Sequence, residues 1–138
     1  MHIKDWRKRA LYTRFRSGVA PLRIETGRYE ASGSGTSMVP VDDRVCLCCN
    51  NLLAVEDEKH FLCTCPVYND MRCILMNACI AFNHQPSNIH CHIHIHDRDR
   101  SFVDVLSCMD YSVCNAVANS IWSAFEVRTH MLDSRRQA

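Results

Sequence analysis

Four stretches of the chain carry apolar residues at helical spacing, separated by stretches that do not. Trp6, Ala10, Leu11 and Phe15 form a stripe within 5–17, with Asp5 placed to cap its start and Gly18 to stop it. A second stripe runs Val67, Met71, Ile74, Leu75, Ala78 and Phe82, and Pro66 suits the first turn of a helix over about 66–82. The longest covers about 112–133, where Val113, Ala116, Val117, Ile121, Ala124, Phe125, Arg128 and Leu132 share one face. A shorter helix near 101–109, through Phe102, Val103 and Leu106, is expected to pack with it. These stripes are read as core. Residues 21–29 alternate apolar and polar side chains, which predicts a short extended segment. Residues 44–65 have few apolar anchors and many cysteines, and 83–100 are polar and rich in histidine.

The expected fold is therefore mainly α: a small helical domain with an irregular, zinc-knuckle-like segment and a short extended stretch. Its parts are a basic helical arm with the extended segment (1–30), a flexible linker (31–40) and a metal-binding segment with the helix after it (41–82). A His-rich loop (83–100) and C-terminal helices (101–138) complete it. The linker assignment rests on Ala31-Ser32-Gly33-Ser34-Gly35-Thr36-Ser37, and all four glycines lie in the first 35 residues.

Length and composition narrow the classes. At 138 residues the chain has room for one ordinary domain, or a small domain with arms. With 47% hydrophobic and 22% charged residues it is expected to fold. A net charge of +1 excludes a uniformly basic nucleic-acid coat. The charge is uneven, however: residues 1–30 carry net +5, residues 40–72 net −3, and the remainder after 72 net −1. The basic set of Lys4, Arg7, Lys8, Arg14, Arg16, Arg23 and Arg28 is the candidate surface for a phosphate backbone. Tyr12 and Tyr29 are candidates to stack on unpaired bases, whereas Trp6 and Phe15 are expected to anchor the helix to the core. No 18-residue apolar run exists, so no membrane span is expected. Ten cysteines behind an N-terminus without a signal-like apolar core point to an intracellular, reducing compartment, cytoplasmic or nuclear, and to metal or free thiols.

The strongest chemical signal is Cys46-x2-Cys49-x10-His60-x4-Cys65. Two thiolates two residues apart can bind one ion from a tight turn, and a later His and Cys can close a tetrahedron. Thiolate plus imidazole favours one structural Zn2+, with no open position for water. Few apolar residues lie between 32 and 60, and zinc contributes about 10–16 kcal/mol in small modules of this kind. Cys48 and Cys63 leave two other pairings open, Cys46 with Cys48 and His60 with Cys63. Cys73, Cys79, Cys108 and Cys114 fall on helical segments and are expected to pack as small apolar residues.

Arg9-x-Leu11-x3-Phe15-Arg16-x-Gly18-Val19-x-Pro21-Leu22 and Ile24-Glu25-Thr26-Gly27-Arg28-Tyr29 resemble a segment near the C-termini of endonuclease–reverse transcriptases of non-LTR retrotransposons. Val39-Pro40-Val41-Asp42-Asp43-Arg44-Val45-Cys46 and Glu56-Asp57-Glu58-Lys59-His60-Phe61-Leu62-x2-Cys65-Pro66-x-Tyr68-x3-Arg72 continue the resemblance in the same order, over about 9–72. The resemblance implies a zinc-binding role for Cys46, Cys49, His60 and Cys65 and an association with nucleic acid. The chain departs from that family in lacking a polymerase motif, since Cys108-Met109-Asp110-Tyr111 is not a paired-aspartate signature. It also lacks an endonuclease constellation, and residues 31–37 look like an insertion. The expected function is a structural-zinc module, non-catalytic by itself, that assists RNA or DNA binding. The alternatives are a zinc-stabilised protein–protein interaction module, which would use the apolar faces of 66–82 and 112–133, and a non-functional transposon remnant.

One motif stands outside this reading. In an extended strand His90, His92, His94 and His96 would share one face at intervals of about 6.5–7 Å and could chelate a metal with Asp97 or Asp99. A metal-dependent enzyme built on that run is a third reading, although nothing in the sequence fixes an activated water or a phosphate-binding group beside it.

Overall fold

Three aspartates start three of the helices in the same way. The computed structural model describes residues 3–29, 38–49, 51–88 and 91–138; the expected linker at 31–37 and His90 lie outside them. Asp5 precedes α1 (Trp6–Arg16) in extended backbone, and its carboxylate accepts from the N–H groups of Arg7 at 2.8 Å and Lys8 at 3.4 Å. Asp97 does the same for α4 (Arg98–Ser107) and Asp110 for α5 (Tyr111–Gln137). Each carboxylate satisfies N–H groups that the first helical turn leaves without partners. Gly18 closes α1 with φ at +66°, and the Gly18 and Val19 N–H groups bond back to Phe15 and Arg14. That left-handed residue is the glycine stop expected from the sequence.

The architecture is mainly helical. α5 lies at the centre, with α1, α3 (Asn69–Asn83) and α4 packed against it. Pro66 opens a single 3₁₀ turn, Pro66–Tyr68, that runs directly into α3. The inner face of α5 is Val113, Cys114, Val117, Ala118, Ser120, Ile121 and Ala124. Phe61 lies at the middle of an aromatic group, with ring centroids 5.8 Å from Phe15, 4.5 Å from Tyr68 and 4.7 Å from Phe125. Such tilted pairs add to simple area burial.

Several helical faces are rotated from their expected orientation. α1 buries Tyr12 and Phe15, while Trp6 is 64% exposed. α3 buries Leu75, Cys79 and Phe82, and Ile74 faces outward. α4 begins earlier than expected and turns Ser101 and Val105 inward, leaving Val103 exposed. Cys79 and Cys114 are buried as small apolar residues, Cys108 is half-buried, and Cys73 is exposed.

The segment expected to be extended is instead one helical turn, α2 (Arg23–Thr26). Its leading N–H groups find acceptors on a distant residue: Arg23 donates to Glu56 Oε2 at 2.9 Å and Ile24 to the Glu56 carbonyl at 3.1 Å. A tertiary acceptor thus overrides the alternating pattern. Gly27 follows. A Cβ there would lie 2.7 Å from Arg44 Cγ, so the Arg44 side chain, which donates to the Ile24 carbonyl at 2.7 Å, has room only over glycine.

Candidate metal centre

Residues 44–49 and 51–56 pair as a small antiparallel hairpin, held by Cys46 N–H to the Ala54 carbonyl at 2.8 Å and Glu56 N–H to the Arg44 carbonyl at 2.9 Å. Its loop carries Cys46, Cys48 and Cys49, all buried. Asp57 then accepts from the His60 N–H at 2.7 Å and starts a π turn over His60–Thr64. The turn closes with Cys65 N–H on the His60 carbonyl at 2.7 Å. In an α-helix five residues would rotate Cys65 about 140° away from His60. The wider i→i+5 turn returns it to the same side. Pro66 holds Cys65 in extended backbone, and Arg72 reaches back from α3 to the carbonyls of Leu62 at 3.1 Å and Cys65 at 2.5 Å.

The three sulfurs of Cys46, Cys49 and Cys65 and one ring nitrogen of His60 lie within 4.8 Å of one another. Cys49 Sγ is 3.5 Å from His60 Nε2. A tetrahedral site with metal–sulfur bonds of about 2.3 Å and metal–nitrogen bonds of about 2.05 Å has an S···N edge of about 3.5 Å. The donor set fits a single metal ion. The other ring nitrogen, Nδ1, sits 3.0 Å from Thr64 Oγ1, whose hydroxyl donates to the His60 carbonyl at 3.3 Å. Thr64 Oγ1 is thus placed to accept Nδ1–H, the arrangement in which Nε2 presents its lone pair to the sulfurs.

The thiols share charge unevenly. Hydrogen bonds from Cys48 and then Cys65 hold the Cys46 thiol far below its ordinary range, and the same bonds push Cys48 and Cys65 up. Burial raises Cys49.

The alternative ligands separate here. Cys63 is outside the cluster; it lines a cavity with Leu62, Arg72 and Arg98, and burial pushes its thiol up to about 11. Cys48 does approach Cys46, in a second group with Glu56. Glu56 is already committed, however. It is fully buried and accepts two bonds of 2.8 Å from the Arg128 guanidinium, besides the Arg23 N–H. Glu56 and Thr64 were not visible as site residues in the sequence. Arg128 was visible as a charge on an apolar stripe, and the buried carboxylate is its explanation.

The basic residues are less gathered than the ligands. Lys4, Arg7, Arg14, Arg16 and Arg28 are exposed; Lys8 and Arg23 are half-buried. Lys8 bonds Asn119 at 2.8 Å, Arg28 pairs with Glu25 at 3.1 Å, and the Arg16 guanidinium lies over Tyr12. Tyr12 is fully buried, which removes it as a stacking platform, because α1 turns that side onto α5, where its hydroxyl meets Cys114 Sγ. Tyr29 is 86% exposed, and Trp6, expected in the core, lies at the surface beside Arg7.

The His run is not a strand where it is described. Residues 91–94 have no ladder partner and Ile95–His96 form a turn, so the regular alternation of a strand is absent there. Among the described residues, no helix is long and apolar enough to cross a membrane. None of the protein-family models, curated proteins or solved structures compared with the chain matches it.

Proposed function

We propose that the chain is a nucleic-acid-binding module stabilised by one structural Zn2+ on Cys46, Cys49, His60 and Cys65, and that it is related to the C-terminal tail of non-LTR retrotransposon reverse transcriptases. The observation that carries the metal part is the convergence of three sulfurs and one imidazole nitrogen within 4.8 Å of one another, with the Cys49–His60 edge at 3.5 Å. Zinc suits that mixed soft set, and four protein donors complete its coordination, which supports a structural rather than a catalytic ion. Arg72 places a guanidinium against the Cys65 carbonyl, and it offsets the net −1 of a zinc ion with three thiolates. The ordered motifs over 9–72 support the family relation.

The nucleic-acid part rests on Lys4, Arg7, Arg14, Arg16 and Arg28, which stand exposed, with Trp6 and Tyr29 beside them. Five phosphate contacts give a log affinity against log salt slope of about −3.5 on single strands and −4.5 on duplex. The test is zinc content per chain by mass spectrometry, followed by RNA and DNA binding across a salt series. One zinc, lost in Cys49→Ser, and a slope reduced by roughly two in Arg14→Glu/Arg16→Glu are expected. No tightly held zinc would defeat the metal part, and indifference to the charge reversal would defeat the nucleic-acid part.

A second reading draws on the hairpin tip, where Leu52 is 79% and Leu53 91% exposed. These leucines would make the tip a protein contact. The apolar faces of α3 and α5 do not offer one, because they pack on each other. Loss of self-association or of pull-down partners in Leu52→Ser/Leu53→Ser, with zinc retained, would favour this reading.

A further inference from the structure

The His-rich loop is pinned in a way that a solvated loop does not need. The Asn83 side chain, at the end of α3, clamps the backbone of Ile93 with two hydrogen bonds, accepting from its N–H at 2.9 Å and donating to its carbonyl at 2.8 Å. Ile93 itself is buried in the core. One residue on, Asp104 of α4 accepts from the His94 N–H at 3.0 Å and from His94 Nδ1 at 2.7 Å. A carboxylate can only accept, so Nδ1 carries a proton, and in the neutral ring Nε2 is the nitrogen with a lone pair. A carboxylate behind an imidazole is the arrangement that fixes tautomer and orientation in metal-ligating histidines.

We propose a second, exchangeable site for a divalent first-row transition ion at His92 and His94. The two rings lie edge-to-face with centroids 5.4 Å apart. Two imidazoles on one ion, with bonds of about 2.1 Å, place their centroids roughly 4.5–5.3 Å apart, close to the separation of these two rings. His84, from the end of α3, and His96 line the same cavity, of about 430 Å³. Either brings a third imidazole by rotation at the surface, with water in the remaining positions. Among the described residues, no three of these rings already meet at ligand distance. The site therefore binds more weakly than the buried cysteine centre and exchanges its ion. Imidazole donors suit nickel, copper and zinc, whereas the thiolate set prefers zinc, so nickel distinguishes the two sites.

The experiment is a calorimetric titration of the untagged, as-purified chain with Ni2+. One Ni2+ per chain at micromolar affinity is expected. His92→Ala and His94→Ala should each weaken it at least tenfold, and His130→Ala, on the outer end of α5, should leave it unchanged. Asp104→Ala should weaken it by 10–100-fold through loss of the His94 hold. His92→Ala guards against a folding artefact, because His92 is exposed and leaves the Asn83 and Asp104 contacts intact. Binding no tighter than millimolar, binding indifferent to His92 and His94, or nickel lost in Cys49→Ser would each overturn the proposal.

Discussion

Arg128→Ala tests whether the hairpin is clamped to the helical core by a buried ion pair. The Glu56 side chain is fully shielded, Arg128 is 12% exposed, and the bidentate bonds are 2.8 Å each. The variant leaves Glu56 with the Arg23 N–H at 2.9 Å, and Cys46, 4.0 Å away, has no S–H to offer once it binds metal. One neutral N–H does not replace a cation. Breaking a buried pair by removing one partner costs about 3–5 kcal/mol, because the other charge stays in a low-dielectric site. For a chain of this size that is a fall in Tm of roughly 10–17 °C.

The assay is thermal unfolding followed by circular dichroism, with metal in excess and the same metal concentration for every variant. A second readout is the rate of zinc transfer to a chromophoric chelator, which should rise as the hairpin loosens. The double variant Glu56→Gln/Arg128→Met separates the pair from its surroundings. It should be less destabilised than the two single variants added together, because it leaves no unpaired charge. A loss below about 1 kcal/mol in Arg128→Ala, or strict additivity of the two changes, would refute the clamp.

Further outcomes follow from single residues. Cys49→Ser should lose tightly bound zinc, whereas Cys48→Ser should retain it, as metal analysis after dialysis will show. Gly18→Ala should cost about 1–2 kcal/mol in denaturant unfolding through its φ of +66° alone, since no atom lies within 4 Å of the added Cβ. Asp110→Ala should cost about 1 kcal/mol at neutral pH by uncapping α5. The Ser112 hydroxyl, followed by the Val113 and Ser112 N–H groups, holds the Asp110 carboxyl below its ordinary value. Its contribution is therefore complete above about pH 4 and lost as pH falls through the native value, so wild type and variant should converge in acid. Equal acid sensitivity of the two proteins would contradict this.

The sequence showed the helices because their signals are local. Asp5, Gly18 and Pro66 act within a turn of their own position, and each marks its boundary in the structure. The spacing of the ligands was visible for the same reason. What the sequence did not carry was orientation. α1 presents two faces with apolar residues, and only the position of α5 decides that Tyr12 goes inside and Trp6 outside. The short segment at 21–29 shows the same limit. Alternation predicted extension, but Glu56 supplies a carboxylate and a carbonyl to two successive N–H groups and so favours a turn of helix. The choice between Cys63 and Cys65 also needed three dimensions, because it depends on whether residues 60–64 wind as an α or a π turn.

That π turn ties the candidate metal centre to the rest of the fold. His60 points toward the sulfurs, and Phe61, the next residue, points into the aromatic group against Phe15, Tyr68 and Phe125. Cys65 ends the turn and Tyr68, three residues later, is buried in the same group. Cys46 lies on the first strand of the hairpin whose last residue is Glu56, held by α5. Each ligand-bearing segment is thus continuous with a buried core residue within three positions or across one hairpin. An ion at this site would fix the rotation of the turn, and the rotation of the turn seats Phe61. Metal binding and core packing are then one cooperative step, unlike a knuckle that folds by itself on a flexible tether. Chelation should accordingly loosen α1 and α3 as well as residues 41–65, and amide exchange that rose only within 41–65 would argue for two independent units.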